Sequence, residues 1–284
     1  MECIYNKNYV EIYRMSPNLY FRKSDLGQRG QANGAFLVGP YAVGIVDVPT
    51  LEAAQEMVDE AAQLWGKPVE YVFLTHGHGD HVEGLPYFLN KNVTIYCAKR
   101  LLEMLSPVVA GSTATFAAVE GTLFLTMGGL SVECFTLPDT THSPWDMFLR
   151  LPAERALICG DDVVDPHMFY CCDANLESWP RGLRRLHGEG YETLLPGHGG
   201  MLPADALLDM ADFIDVLAKA VRDALKALSE AQLQALSAQR VAEMAEEFLA
   251  AGSPAAKMLQ SKCDDEAAAK VRMVMWYYLA KMIH

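Results

Sequence analysis

The amino-acid sequence predicts an α/β layered domain followed by a helical C-terminal extension. Three observations carry this. Over about the first 200 residues, short runs rich in β-branched and aromatic residues alternate with helical patterns. Several of those runs end in loops rich in His, Asp and Gly. After Gly200 the composition shifts, and residues 201–284 hold 20 Ala but a single Gly, Gly252.

The elements follow in order. Ala35–Val38 and Tyr41–Val48 read as a hairpin turned by Gly39-Pro40. Thr50 is placed to cap a helix over Leu51–Trp65, with Glu52 and Glu56 near its positive end, and Gly66-Lys67-Pro68 stops it. Val69–Leu74, Val93–Cys97, Leu130–Leu137, Met147–Leu151 and Arg155–Cys159 are short apolar runs, read as buried strands. A helix over about Leu176–His187 leads to a last strand at Glu192–Leu195. In the extension, Leu207, Met210, Ile214, Leu217, Val221, Leu225 and Leu228 keep helical spacing. Ser229 is placed to cap a second helix to about Ala250, Ser253-Pro254 restarts the chain, and a third helix covers Asp265–Ile283. The expected division is 1–200 and 201–284.

Composition bounds the partners. Of 284 residues, 36 are acidic and 23 basic, for a formal charge of −13. Such a surface repels phosphate backbones, which argues against nucleic acid and membranes and leaves a small-molecule substrate. The N-terminus lacks a signal-peptide pattern, and no apolar run nears the ~20 residues of a membrane span. The expected compartment is the cytoplasm. Seven scattered cysteines without a CxxC spacing suit reduced thiols.

The chemistry begins where the run Val69–Leu74 ends, in Thr75-His76-Gly77-His78-Gly79-Asp80-His81. In an extended loop His76 and His78 point to one side, and the glycines allow a tight turn. Imidazole nitrogen with carboxylate oxygen is a ligand set for zinc, and also for iron or manganese. One run cannot complete two coordination shells. Further ligands are expected from loops after apolar runs: His142 after Leu137-Pro138, Asp161 after Cys159-Gly160, and His198 after Pro196-Gly197.

This ordered pattern resembles the metallo-β-lactamase superfamily over about residues 10–200. The resemblance implies an αββα sandwich and two divalent metal ions, zinc first, with iron or manganese as alternatives. It places His76, His78 and His142 on the first metal and Asp80, His81 and His198 on the second. Asp161 bridges both, in preference to Asp162, because it directly follows Gly160. Asp47 would stand behind the ligands and orient the His loop. Asp80 would also act in catalysis, orienting the nucleophile or accepting its proton.

The reaction implied is hydrolysis of a small ester, thioester, lactone or phosphodiester by a metal-bridging hydroxide, in the glyoxalase II and lactonase-like branch. The bridging Asp161 argues against antibiotic hydrolysis, and His78 stands where the electron-transferring diiron members carry Glu. The rivals are a mononuclear iron dioxygenase of sulfur compounds on the same fold and a regulatory protein with incidental hydrolysis. Trp145, in the unusual Ser143-Pro144-Trp145-Asp146, is a candidate substrate contact. Tyr170 and Tyr191 are candidate donors to a developing oxyanion. His167 is a possible pocket residue, and Arg22, Lys23 and Arg29 are possible contacts for an anionic group. The extension, through Trp276, Tyr277 and Tyr278, would cover the pocket, form a homodimer surface or simply pack on the sandwich.

Overall fold

The structure is a computed structural model, and it describes residues 2–24, 31–165 and 169–282. Among these, one sheet holds β1 (Glu2–Lys7), β2 (Val10–Arg14), β3 (Leu19–Ser24), β4 (Gly34–Val38), β5 (Val43–Val46), β6 (Val69–Phe73), β7 (Thr94–Ala98) and β8 (Thr115–Val119), in that spatial order. The second sheet holds β9 (Thr122–Met127), β10 (Leu130–Phe135), β11 (Phe148–Leu151), β12 (Ala156–Gly160), β13 (Thr193–Pro196) and β14 (Leu202–Pro203), again in sequence order from edge to edge. The helices are α1 (Leu51–Trp65), α2 (Gly79–Val82), α3 (Lys99–Val109), α4 (Trp179–His187), α5 (Ala206–Lys226), α6 (Glu230–Gln234), α7 (Ala238–Ala250), α8 (Pro254–Cys263) and α9 (Ala267–Met282).

Side-chain alternation explains the layers. In β12, Ala156 and Ile158 join a core shared with the first sheet, whereas Leu157 and Cys159 join one shared with α4 and α5. A strand buried on both faces needs apolar residues throughout, which is why β12 reads ALICG without a polar break. On the far side, Ala54, Met57 and Ala61 of α1 and Leu101 and Leu105 of α3 pack on the first sheet. The result is an αββα sandwich. The helical stretch after Gly200 closes one face of it, with α5 and α7–α9 in the same core cluster as α4.

Several boundaries differ from expectation. The sequence reading leaves residues 2–24 without elements, yet they form β1–β3. Asn8 and Tyr9, at φ 53° and 62°, make the left-handed turn between β1 and β2. The segments that become α3, β8 and β9 are likewise unforeseen. The single helix expected from Ser229 to Ala250 is two, because Ser237 caps α7 by accepting from Arg240 N. The helix expected from Leu176 starts at Trp179, with Pro180 in its first turn, where a missing N–H costs nothing.

Strand direction positions the site. β5, β6 and β7 run parallel. In the other sheet β10 and β12 are both antiparallel to β11, and β13 is parallel to β12. The loops after β10, β12 and β13 therefore leave at one edge. Open sheets commonly place ligand sites outside such carboxyl ends.

Candidate metal centre

Asp47 follows β5, the His76–His81 run follows β6, His142 follows β10, Asp161 follows β12 and His198 follows β13. The seven expected ligands converge into two groups. His76, His78, His142 and Asp161 form one, and Asp80, His81 and His198 the other, with the ligand atoms of each within 4.8 Å of one another. Asp161 reaches into the second group as well. Its Oδ1 lies 3.3 Å from His81 Nε2, and its Oδ2 lies 3.3 Å from His198 Nε2 and 3.9 Å from His76 Nε2. Asp80 Oδ2 stands 3.1 Å from His198 Nε2.

Hydrogen bonds behind the ligands set which ring nitrogen is bare. The Thr75 hydroxyl donates to Asp47 Oδ2 at 2.8 Å, so its lone pair accepts from His76 Nδ1 at 3.1 Å. His81 Nδ1 donates to the same Asp47 oxygen at 2.8 Å. His78 is turned the other way, with Nε2 donating to Asp173 Oδ2 at 3.1 Å. His76 and His81 thus offer Nε2 to the site and His78 offers Nδ1. Asp47 adopts φ 56° and also accepts from Thr75 N at 2.8 Å, which anchors the start of the histidine loop.

The residues fit divalent metals on observations of their own. His78 Nδ1 lies 3.1 Å from both His76 Nε2 and His142 Nε2. Two nitrogens on one tetrahedral ion, each at about 2.0–2.1 Å, stand about 3.3 Å apart. The bare lone pairs of His76 Nε2 and His78 Nδ1, brought this close, repel one another and are stabilised by a cation between them. His81 Nε2 and Asp161 Oδ1 are buried facing each other at 3.3 Å, and neither makes a well-aligned hydrogen bond to any described residue. Glycine at 197 keeps that space open, because a Cβ there would stand 2.1 Å from Asp161 Oδ1 and 2.6 Å from His81 Cε1.

Protonation differs between the groups. Burial drives His142 down to about 4 and lowers His76 as well. Burial would also lower His198, but its hydrogen bonds to Asp161 and Asp80 outweigh this and raise it to about 9. Burial likewise opposes the charge on His81, yet Asp161 and Asp47 hold it well above its usual range. Without metal, the second group therefore carries protons near neutral pH. Zinc loading at pH 7.5 is expected to release protons, and the apparent affinity to fall as pH is lowered. Calorimetry in two buffers of different ionisation enthalpy counts them, and no release would contradict this.

A family model described as the metallo-beta-lactamase superfamily matches residues 47–198, more than half of the chain and every ligand above. The chain belongs to the metallo-β-lactamase superfamily. It is 25% identical over 168 residues to the beta-lactamase-like protein 2 homolog of Caenorhabditis elegans, covering 57% of this chain and 52% of that protein. It is 28% identical over 154 residues to the atrochrysone carboxyl ACP thioesterase of Aspergillus terreus, covering 53% and 43%. The matches thus span about half, or less, of these curated relatives. Among solved structures, a metallo-beta-lactamase from Pontibacter korlensis superposes with a TM-score of 0.62 at 20% identity, covering 72% of this chain and 99% of that one. One from Erythrobacter litoralis gives 0.60 at 18%, covering 73% and 98%. At such identities these structures speak for the fold.

Other candidates fare differently within this superfamily site. Tyr170 and Trp145 stand beside His78, at ring-centre distances of 5.3 and 6.4 Å. Tyr191 joins neither donor group: its hydroxyl donates to Glu189 and accepts from Arg150 Nε at 2.9 Å. It precedes β13 whereas His198 follows it, which puts the two at opposite edges of the sheet. Arg22 is fully buried against Glu56 and Glu60, and Lys23 pairs with Glu11 at 3.6 Å, so neither is a free anion contact. His167 and Arg29 lie outside the described residues. Asp162 joins neither donor group; hydrogen bonds from Thr141 and the His142 backbone tie it to the His142 loop, and burial beside Asp146 raises its carboxyl. Asp146 caps that loop, accepting from Thr141 Oγ1 and Ser143 N at 2.8 Å each.

Sequence reasoning missed three residues. Asn33 ties the His198 loop, donating from Nδ2 to Pro196 O at 3.1 Å and Gly199 O at 3.0 Å. Asp173 holds His78, and Met273 of α9 accepts from Cys171 N at 3.3 Å. Tyr277 Oη accepts from Leu176 N at 3.0 Å, so the C-terminal helix backs the segment carrying Tyr170 and Asp173. Tyr278 is buried with its hydroxyl on Glu177, whereas Trp276 stays exposed. Replacing Asp173 by Ala is expected to weaken metal binding by about 10–100-fold, the scale of losing a carboxylate behind a ligating histidine. Chelator competition measures it, and wild-type affinity would contradict it.

Proposed function

We propose that this chain is a dinuclear metal hydrolase that cleaves a small ester, thioester or lactone, with zinc as the resident metal. The observation that carries the reading is the placement of Asp161 between two otherwise complete donor groups. Divalent ions held by His76, His78 and His142 and by Asp80, His81 and His198 would supply a hydroxide nucleophile near neutral pH and polarise the scissile carbonyl. Asp161 presents one carboxylate to both groups. His76, His78 and His81 are locked in one tautomer by Thr75, Asp173 and Asp47, so little reorganisation accompanies reaction. Asp80 is ionised, because burial that would raise it is outweighed by its hydrogen bond to His198. With a side chain 37% exposed, it is open to accept and hand on a proton at its carboxylate oxygen.

The relative from Aspergillus terreus is named as a thioesterase, which supports acyl transfer to water over phosphodiester cleavage. Zinc-loaded protein is expected to turn over members of a panel comprising p-nitrophenyl esters, an acyl thioester and a γ-lactone, and to leave bis-p-nitrophenyl phosphate largely intact. Failure to hydrolyse any acyl substrate with two metals bound would overturn the reading.

A further inference from the structure

We propose that the substrate group lying beside His78 is an uncharged apolar chain or ring, seated on a shelf made by Tyr170, Trp145 and Met104. The inference deepens the hydrolase reading and rests on it for the placement of the reacting carbonyl. Three elements build the shelf. Tyr170 comes from the segment before α4 and meets the His78 ring edge-on, 5.3 Å away at 90°. Trp145 comes from the loop after β10 and meets the same ring 6.4 Å away at 85°. Met104 comes from α3. Its Cε and Trp145 Cε3 stand 2.9 and 3.1 Å from where a Cβ on Gly77 would be, so both side chains lie against the His76–His78 loop.

Two of the three are left open to solvent. Tyr170 is 40% exposed and Met104 39% exposed, directly at the rim of a site whose floor is polar. Apolar walls around a few convergent polar groups are the general form of a small-molecule pocket. Charge points the same way. Arg22 and Lys23 are paired elsewhere, and a net charge of −13 disfavours an anionic substituent. An apolar group gains from the shelf without needing a counter-charge. Each methylene that leaves water on it tightens binding by about three- to fourfold.

The test is calorimetry of carboxylates, the acid products of such a reaction, on zinc-loaded protein. Hexanoate is expected to bind at least about tenfold more tightly than acetate, and succinate, with a second charge, no more tightly than acetate. Tyr170→Ala combined with Met104→Ser, both at exposed positions, should bring the hexanoate-to-acetate ratio below about threefold. Trp145→Phe, which keeps a ring over Gly77, should retain most of the preference. Equal binding of acetate and hexanoate, a ratio unchanged in the double variant, or tightest binding of succinate would overturn the proposal. The two readings fail separately. A hexanoate preference without turnover of any ester removes the hydrolase and leaves the shelf, whereas turnover without the preference does the reverse.

Discussion

Asp161→Ala is expected to lower kcat on an acyl substrate by about 10⁴–10⁶-fold, the scale of losing one member of a catalytic unit. Bound metal should fall from two ions per chain to one or none. The reasoning is geometric: one carboxylate serves both donor groups, so its loss opens both. The metal-free protein should respond too. Burial would raise the Asp161 carboxyl, but His81 and His198 hold it well below its usual range. A group depressed in the folded state stabilises above its unfolded pKa, and the contribution is lost as pH falls through the folded value. The variant is therefore expected to be less stable than wild type at neutral pH, with the gap closing in strong acid. Urea denaturation of both metal-free proteins across pH checks the sign. Equal stability at neutral pH would contradict it.

Asp80→Asn is expected to lower kcat by about 10²–10⁴-fold, with a smaller loss of stability than Asp161→Ala. Its carboxylate is the most open ligand of the second group, and its side chain caps nothing. Asn keeps the size but cannot accept a proton. The informative comparison is kcat at full zinc occupancy. A loss that vanishes once the second ion is restored would make Asp80 a ligand only, and a loss that persists identifies the proton acceptor.

Part of this was legible in the sequence because it is local. The His76–His81 run carries its ligand spacing within one loop, and β12 and β13 announce themselves as short apolar runs that end at Asp161 and His198. Asp173 was invisible for the opposite reason. Its partner His78 is 95 positions away, and no periodicity marks an aspartate in a loop. Asn33 and Met273 act through backbone groups of distant loops, which the sequence does not number. Tyr191 was a mistake that the strand itself could have prevented. A strand rises about 3.3 Å per residue, so the four residues of β13 put roughly 10 Å or more between Tyr191 before it and His198 after it. The N-terminal strands were missed despite a usable signal, since Val10 and Ile12 alternate inward against the less buried Glu11 and Tyr13. β3 shows no such alternation, since it is buried on both faces, and its buried Arg22 is held by Glu56 and Glu60 of α1.

The central claim is a two-metal hydrolytic centre, and metal content tests it most directly. Elemental analysis of protein produced with zinc, iron and manganese all supplied should find two ions per chain, chiefly zinc, with one lost when Asp80 and His198 are both replaced by Ala. A single iron per chain, unaffected by that double replacement, would contradict the account.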